Sequence, residues 1–531
     1  MSTAAAPAGQ GDAPGARPAG PPRARGGGGR AGGLVRRPAA ALAASVRRIP
    51  RAGRACFLIA FVNAAIWGVV VPPFQVPDEI SHFGYAQYLA ETGRLPPQGD
   101  IAQYSPEEQQ TLESLDFFAV IGHPGQRGIF TGAEDHALRA RLAANPSPLG
   151  QGGASSATNQ PPLYYALEAV PYWLSPWHEI LARLAFMRLL SALMAAGTVL
   201  AIFLFLRELL PSTPWTWTVG ALVVAFQPSF DFIAAGVQGD NLLFLTSAAT
   251  FLALLRCFRR GLTVRRGAWL GLAVAAGVLS KLTFLALLPG VALALALLAW
   301  RALPDGRRSA LSAMAVTIAV AAVPVGLYAL LNVVLWHRGG ATAGGLAGVS
   351  GGTAPGGAIT LHQTLDYTWE LYLPRLWFMN HNYFTSNPLW GIWLDGAIGH
   401  FGWLDYTFPP WVYTDAKYLF CGLAALALLG VARLRAAFRP VLSIFACFAV
   451  MAIGLLGAIG YAGIRYQLSS GFPFAQARYL FPLLVFYGLF MVLAASALPR
   501  RWAPVLGGLL VILAMTHGLF AETLTISRYY G

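Results

Sequence analysis

Eleven apolar runs constrain this 531-residue chain more than any other feature, at about 57–74, 184–206, 216–235, 242–258, 268–283, 284–300, 310–335, 417–432, 441–461, 479–497 and 504–520. Each is roughly long enough to cross about 30 Å of hydrocarbon as a helix, though 268–283 and 417–432 are short. The pattern predicts an all-α, polytopic transmembrane helical bundle of about eleven spans. Composition agrees: 56% of residues are apolar, 11% are charged, and the mean hydropathy is +0.54.

The arginines orient the bundle. Arg207, then Arg256 to Arg266, then Arg301/Arg307/Arg308, then Arg433/Arg435/Arg439, then Arg500/Arg501 fall in every second connection. Positively charged connections stay in the cytoplasm, so the N-terminus is expected inside and the C-terminus outside. Residues 1–54 carry ten arginines and one acid, Asp12, and read as a disordered basic tail that anionic head groups attract. A cleaved signal peptide is the competing reading, but no small-residue cleavage site follows the first apolar run. Residues 55–531 form the transmembrane domain. Two long exterior connections, 75–183 and 336–416, are expected to carry interfacial helices, whereas no cytoplasmic connection is long enough to fold alone. Any chemistry is therefore expected on the outer face. The net charge of +14 lies mostly in the tail and beside apolar runs, which argues against nucleic acid. The four cysteines all lie in apolar runs, so the exterior connections have no disulfides.

The stretch from Val76 to Tyr85 places an acidic pair at the exit of the first span. Pro77 suits the first turn of a helix, and Asp78 and Glu79 would then sit at its positive end. Asp78, His82 and Tyr85 would share one face. Acids on a wet helix start are common, but ionisable residues at a membrane boundary are functional candidates. Asn159-Gln160-Pro161-Pro162 is either a rigid lead-in to an interfacial helix or a loop that touches substrate. Gly239-Asp240-Asn241 is either turn chemistry or a cavity wall. Lys281 interrupts a long apolar stretch; it either snorkels to the surface or faces an anion such as phosphate. Gly402 to Asp405 reads as a turn packed by Trp403, with Asp405 a candidate for the site. Arg478, followed by Tyr479, breaks the charge pattern at the outer start of the tenth run; it pairs either with a phosphate or with an exterior carboxylate. No Walker A loop, no GxGxxG after a strand, no GxSxG and no HExxH occurs.

These residues suit an anionic lipid substrate. In transfer from a polyprenyl-phosphate sugar, the leaving phosphate needs no general acid, and one carboxylate can serve as base on the acceptor hydroxyl. Arg478 and Lys281 could stabilise charge on the departing phosphate. A nucleotide-sugar enzyme would need a soluble cytosolic domain. A glycosidase would need two carboxylates flanking the bond, and adjacent helical acids point apart.

Asp78-Glu79 with His82-Phe83-Gly84 resembles the first exterior loop of protein O-mannosyltransferases, and Gln160-Pro161-Pro162-Leu163 resembles their later His-Pro-Pro-Leu, with Gln in place of His. The wider kin are C-class integral-membrane glycosyltransferases, including the lipid A aminoarabinose transferase. The block Pro77 to Pro96, with Gly402 to Asp405 and Gln476 to Tyr479, is closer still to a family of predicted bacterial membrane proteins without assigned function. The resemblance implies an inverting single displacement with Asp78 as base, assisted by Glu79, in the bacterial plasma membrane. It implies a polyprenyl-phosphate-linked sugar as donor, with the glycan, lipid or protein nature of the acceptor left open. His82, Tyr85, Gln160, Asp240, Asn241 and Asp405 become acceptor or cation candidates, and Lys281, Arg478 and Tyr479 donor-phosphate candidates. Some relatives bind a divalent cation near this loop, for which Glu79 and His82 are the candidates. The rival readings are a transporter or flippase of lipid-linked saccharide, and a polymerase or ligase of surface polysaccharide.

Overall fold

The computed structural model describes residues 49–97, 103–126, 131–336, 359–379, 381–471 and 473–531. The expected basic tail and the Gly-rich start of the second long connection lie outside these residues, apart from the tail's last few. The chain divides into the units Met1–Pro50 and Arg51–Gly531, and everything below concerns the second.

Among the described residues, the regular elements of that unit are helices apart from a two-residue antiparallel ladder, β1 (His400–Phe401) with β2 (Tyr406–Thr407). Helix α1 (Arg51–Val70) leads into α2 (Glu79–Thr92), and the first long connection continues with α3 (Pro106–Ser114), α4 (Gly132–Ala143) and α5 (Leu163–Leu174). Then come α6 (Ile180–Leu209), α7 (Pro214–Ala225), α8 (Pro228–Ala234), α9 (Asp240–Arg260), α10 (Val264–Ser280) and α11 (Leu288–Val334). After α12 (Leu361–Tyr372), the chain closes with α13 (Pro410–Phe438), α14 (Leu442–Ser470), α15 (Leu484–Ser496) and α16 (Ala503–Tyr530). Helix α5 exposes Leu167, Val170, Trp173 and Leu174, and α12 exposes Leu361, Leu365 and Trp369. Such apolar stripes suit helices lying in the membrane interface.

All eleven apolar runs are helical, but the span count differs from eleven. Eight stretches among the described residues are long and apolar enough to cross a membrane, or nine if one bent pair counts as a span. Two physical reasons account for the rest. The stretch Pro410–Ser470 contains both α13 and α14, joined by the 3-10 turn Arg439–Val441. Helix α10 has only 17 residues. The bent pair is α7–α8, which turns by 64° where one straight span was expected. Pro228 starts the second piece, because a proline inside a helix removes a hydrogen bond and clashes with the preceding turn. Gln227 caps that piece: its Oε1 accepts from Phe230 N at 2.6 Å, while its Nε2 donates to the Ala397 carbonyl at 2.6 Å.

A second break matters more for the site. Helix α10 stops at Ser280, Lys281 is extended (φ −154°), and a 3-10 turn, Leu282–Leu287, restarts the chain. The Leu282 N–H, freed by the break, donates to Gln160 Oε1 at 3.2 Å. The break therefore docks on the first long connection and turns Lys281 inward.

Candidate functional site

Helix α2 begins two residues later than its sequence suggests, at Glu79 rather than Pro77. Asp78 is the N-cap, in the left-handed region at φ 63°, rather than the second residue of the helix. That conformation is uncommon for a residue with a Cβ, although Asp tolerates it better than most. The Asp78 carbonyl accepts from Ser81 N (3.0 Å) and His82 N (3.1 Å), so the backbone starts the helix while the side chain swings away from it. Asp78 and Glu79 consequently face different surroundings.

Glu79 is fully buried and engaged. Arg188 of α6 grips it with two bonds, Nε to Oε1 at 2.8 Å and Nη2 to Oε2 at 2.6 Å. The remaining Arg188 N–H groups donate to the carbonyls of Gly68, Val71 and Pro72. Val237 N donates to Glu79 Oε1 at 2.9 Å. The paired ions thus tie the end of α1, the start of α2, α6 and the hairpin before α9 into one block. Glu79 was expected to assist catalysis; the structure turns it away from the cavity and gives it a clamping geometry. Close packing around this block also explains Gly236, where a Cβ would lie 2.6 Å from the Cβ of Val76.

Asp78 opens on a cavity of about 340 Å³. Its polar wall includes Asp78, His82, Gln160, Lys281, Arg478 and Tyr479, and its apolar wall includes Leu285, Ala286, Ile459, Ala462 and Phe474. Four charges alternate along the polar side. Arg478 Nη2 donates to Asp78 Oδ2 at 2.7 Å, Arg478 Nη1 lies 3.9 Å from Asp240 Oδ2, and Lys281 Nζ donates to Asp240 Oδ1 at 2.6 Å. Arg478 comes from the 3-10 turn Ala477–Leu483, which leads into α15. Arg478 Nε and Nη1 and Asp240 Oδ2 make no hydrogen bond. An arginine fork with two unused N–H positions, beside a lysine, is a ready anion site.

Burial alone would raise the Asp78 carboxyl, but the charge and hydrogen bond of Arg478, with help from Lys281, hold it below the usual carboxylate range. Burial, and then the nearby Lys281 charge, push His82 down to about 3. His82 is therefore a neutral imidazole at pH 7, with Nδ1 bonded to Tyr165 Oη at 2.8 Å and its ring stacked on Tyr165.

The other candidates divide. Gln160 and Tyr479 line the cavity, and Tyr479 stacks on Phe474 with centroids 4.9 Å apart. Tyr85 stacks on Tyr165 and does not line this cavity. Asn241 lies behind the site and donates to the carbonyls of Ile233 and Gly236. Asp405 does not line the cavity: it accepts from Arg528 Nη2 at 2.9 Å and from Trp403 N at 3.1 Å, which tethers its turn to α16. Lys281 does not snorkel, because Asp240 holds it. The sequence reading overlooked Arg188; an arginine inside the apolar run 184–206 was the signal that could have found it. A second cavity of about 310 Å³ shares Arg478 with the first and is lined by Pro77, Ser229, Ser386, His400 and Gln476 among others.

A divalent cation at Glu79 and His82 does not fit. Both Glu79 oxygens are committed to Arg188, and His82 Nδ1 to Tyr165. Among the described residues, no group of three or more His, Cys, Asp or Glu is arranged to hold a metal ion.

The model of the family described as "Predicted membrane protein (DUF2142)" matches residues 61–487. The chain belongs to this family. With its apolar helices, the DUF2142 chain is a multi-pass membrane protein. No curated protein matches its sequence. Solved structures similar to it include the S. cerevisiae protein O-mannosyltransferase complex bound to the sugar donor, at 15% identity and TM-score 0.36, covering 54% of this chain and 34% of that one. The Archaeoglobus fulgidus oligosaccharyltransferase also matches in its apo form, at 13% identity and TM-score 0.43, covering 89% and 56% of the two chains. The same enzyme tethered to an acceptor peptide matches at 14% identity and TM-score 0.37, covering 90% and 55%. The chain thus spans between a third and just over half the length of these solved chains.

Proposed function

We propose that this DUF2142 protein is a glycosyltransferase that moves a sugar from a polyprenyl-phosphate donor to an acceptor hydroxyl on the extracytoplasmic face. The observation that carries the reading is the Asp78–Arg478 pair, in a cavity that also holds Lys281 and whose opposite wall is apolar. The apolar wall suits the first isoprene units, and the cations suit the phosphate. Arg478 Nε and Nη1 lack hydrogen bonds and are the donors that the phosphate oxygens would recruit. The alternating charge of the connections supports an exterior site in the bacterial plasma membrane.

In this mechanism the acceptor oxygen attacks the anomeric carbon as the bond from that carbon to the phosphate oxygen breaks. The acceptor proton passes to Asp78, and polyprenyl phosphate departs carrying the bonding pair. A single displacement inverts the anomeric centre. Asp78 is ionised at rest but tied up by Arg478. Recruitment of Arg478 to the phosphate would leave the carboxylate free and more basic at the moment it is needed. The second cavity, across Arg478 and beside Pro77, is the side from which the acceptor would approach. Asp240 keeps Lys281 in place, while neutral His82 and Gln160 supply uncharged hydrogen bonds to the sugar.

The test is transfer from a radiolabelled polyprenyl-phosphate sugar by purified, reconstituted protein. Asp78→Asn should abolish transfer and retain donor binding. Wild-type protein that carries the lipid across the bilayer without cleaving it would overturn the reading.

A further inference from the structure

One arginine beside the Asp78 cavity stands outside the charge pairing. Helix α14 ends at Ser470, and Arg465 lies in its last two turns. Like Arg478, Arg465 falls outside the arginine-rich connections that orient the bundle. Ala458, Tyr461 and Ala462 of the same helix line the cavity. Arg465 follows them by seven, four and three residues, so it shares their face of α14, one turn beyond the lining.

The side chain bends back towards the cavity. Long helical side chains lean over the preceding turn. Arg465 Nη1 donates to Tyr461 Oη at 3.1 Å, and the guanidinium carbon lies 5.7 Å from the centre of the Tyr461 ring. Arg465 Nε is buried and has no hydrogen-bond partner. An arginine that only snorkels would keep its N–H groups in water. This one instead holds an unused donor out of water, against a residue of the cavity wall.

The charge balance gives that donor a purpose. Asp78, Lys281 and Arg478 are the charged residues of the lining. Arg478 is matched by Asp78, and Lys281 by Asp240. His82 is neutral at pH 7. Arg465 pairs with no carboxylate among the described residues. It therefore gives the cavity and its rim one net positive charge.

We infer that Arg465 is a donor-binding residue and that it matches the site to a monoanion, a polyprenyl phosphodiester rather than a diphosphate. The inference rests on the reading of the Asp78 cavity as a donor site. A sugar joined to the lipid through one phosphate carries one ionised oxygen, and Arg465 cancels that charge. A diphosphate bridge carries two, and the second would stay uncompensated in a half-buried site. Arg465 Nε donates to a phosphate oxygen, as a charge-assisted bond. The balance also survives the reaction. Asp78 loses its charge on taking the acceptor proton, as the departing phosphate gains a second one.

The test measures binding to the full-length protein in phosphatidylcholine nanodiscs. Two probes without sugar are used: undecaprenyl methyl phosphate, a monoanion, and the methyl ester of undecaprenyl diphosphate, a dianion. Wild type should bind the monoanion about tenfold tighter than the dianion. Arg465→Met should weaken monoanion binding about ten- to a hundredfold, the range for one hydrogen bond to a charged group. Arg465→Lys keeps the charge without the fork, so it should regain part of the affinity and all of the preference. If Arg465→Met does not fold, Arg465→Gln, which keeps a donor for Tyr461, takes its place. A folded neutral variant that binds the monoanion as wild type does overturns the inference and leaves the donor reading standing. So does a wild type that prefers the dianion. Phosphatidylglycerol at the same mole fraction should not compete; equal competition would make Arg465 a contact for bulk lipid and overturn the inference. Wild type that binds neither probe overturns the donor reading as well.

Discussion

Arg478 Nη2 lies 2.7 Å from Asp78 Oδ2, joining residues 400 positions apart in the sequence. Arg478 is almost wholly buried, whereas Asp78 keeps about a third of its side chain open to the cavity. The acid is thus the reachable member of the pair, and the arginine governs its charge. Asp78→Asn should lower kcat by about 10²–10⁴, the range for loss of a general base, with donor affinity unchanged or improved. Arg478→Lys keeps the charge but loses the planar fork, so its main effect should be on kcat/KM for the donor. Steady-state transfer assays against donor concentration separate the two.

The neighbouring pair answers a different question. Lys281 and Asp240 are 2.6 Å apart, and Asp240 is nearly inaccessible. Lys281→Met would leave that carboxylate to pair with Arg478, 3.9 Å away, drawing Arg478 from Asp78. Breaking a buried pair costs about 3–5 kcal/mol, and about 2–3 kcal/mol is expected here because Lys281 borders the cavity. The double variant Lys281→Met/Asp240→Asn removes both charges and should regain most of the stability without regaining donor binding. Thermal unfolding in detergent, alongside donor-binding isotherms, checks this. Recovery of binding with stability would place Lys281 outside donor recognition.

Hydropathy alone located the apolar helical stretches of the bundle, though not the bend between α7 and α8, because apolar length is a local property of the sequence. The polar residues around the cavity were also legible one at a time, since Asp78, Lys281 and Arg478 each interrupt or border an apolar run. Which of two adjacent acids faces the cavity was not. Asp78 and Glu79 differ in the left-handed turn at Asp78 and in the arginine that claims Glu79, and both are set by packing between α1, α6 and the 236–240 hairpin. Asp405 shows the same limit. Its motif looked like part of the site, yet its partner, Arg528, lies 123 residues away, near the end of the chain. Pairings over such distances are decided by tertiary arrangement and leave no mark in a short window.

The Glu79–Arg188 clamp predicts a stability phenotype. Arg188→Ala would strand a buried carboxylate and remove the donors to three backbone carbonyls. A loss of about 3–5 kcal/mol is expected for a buried pair broken on one side. Glu79→Gln keeps the shape and one acceptor, and should cost less. Under the proposed function, protein that still folds as Glu79→Gln should turn over donor nearly as fast as wild type. Melting curves and kcat per folded molecule, measured together, distinguish a clamp from a second base. A kcat loss with an unchanged melting temperature would restore Glu79 to the chemistry.

Stability should also fall as the medium turns alkaline, for a nameable reason. Burial raises the Glu168 carboxyl to about 8 and that of Glu107 to about 7. Both ordinarily titrate near 4.5. From about 4.5 upward the folded protein therefore holds protons that the unfolded chain has released, and stability declines as pH rises towards 8. Buried His82, depressed to about 3, acts in the opposite sense between 3 and 6.5 and partly cancels this decline there. The uncompensated window is pH 6.5–8, where Glu168 alone accounts for a loss of about 2 kcal/mol, at about 1.4 kcal/mol per pH unit. Glu168 Oε1 accepts from Ser191 Oγ at 3.1 Å, and Oε2 has no partner. Glu168→Gln cannot ionise and keeps the carbonyl acceptor for Ser191. Its melting temperature should fall less steeply from pH 6.5 to 8 than that of the wild type, with the remaining slope owed to groups such as Glu107. Parallel curves for the two proteins would mean that Glu168 is not the group that titrates.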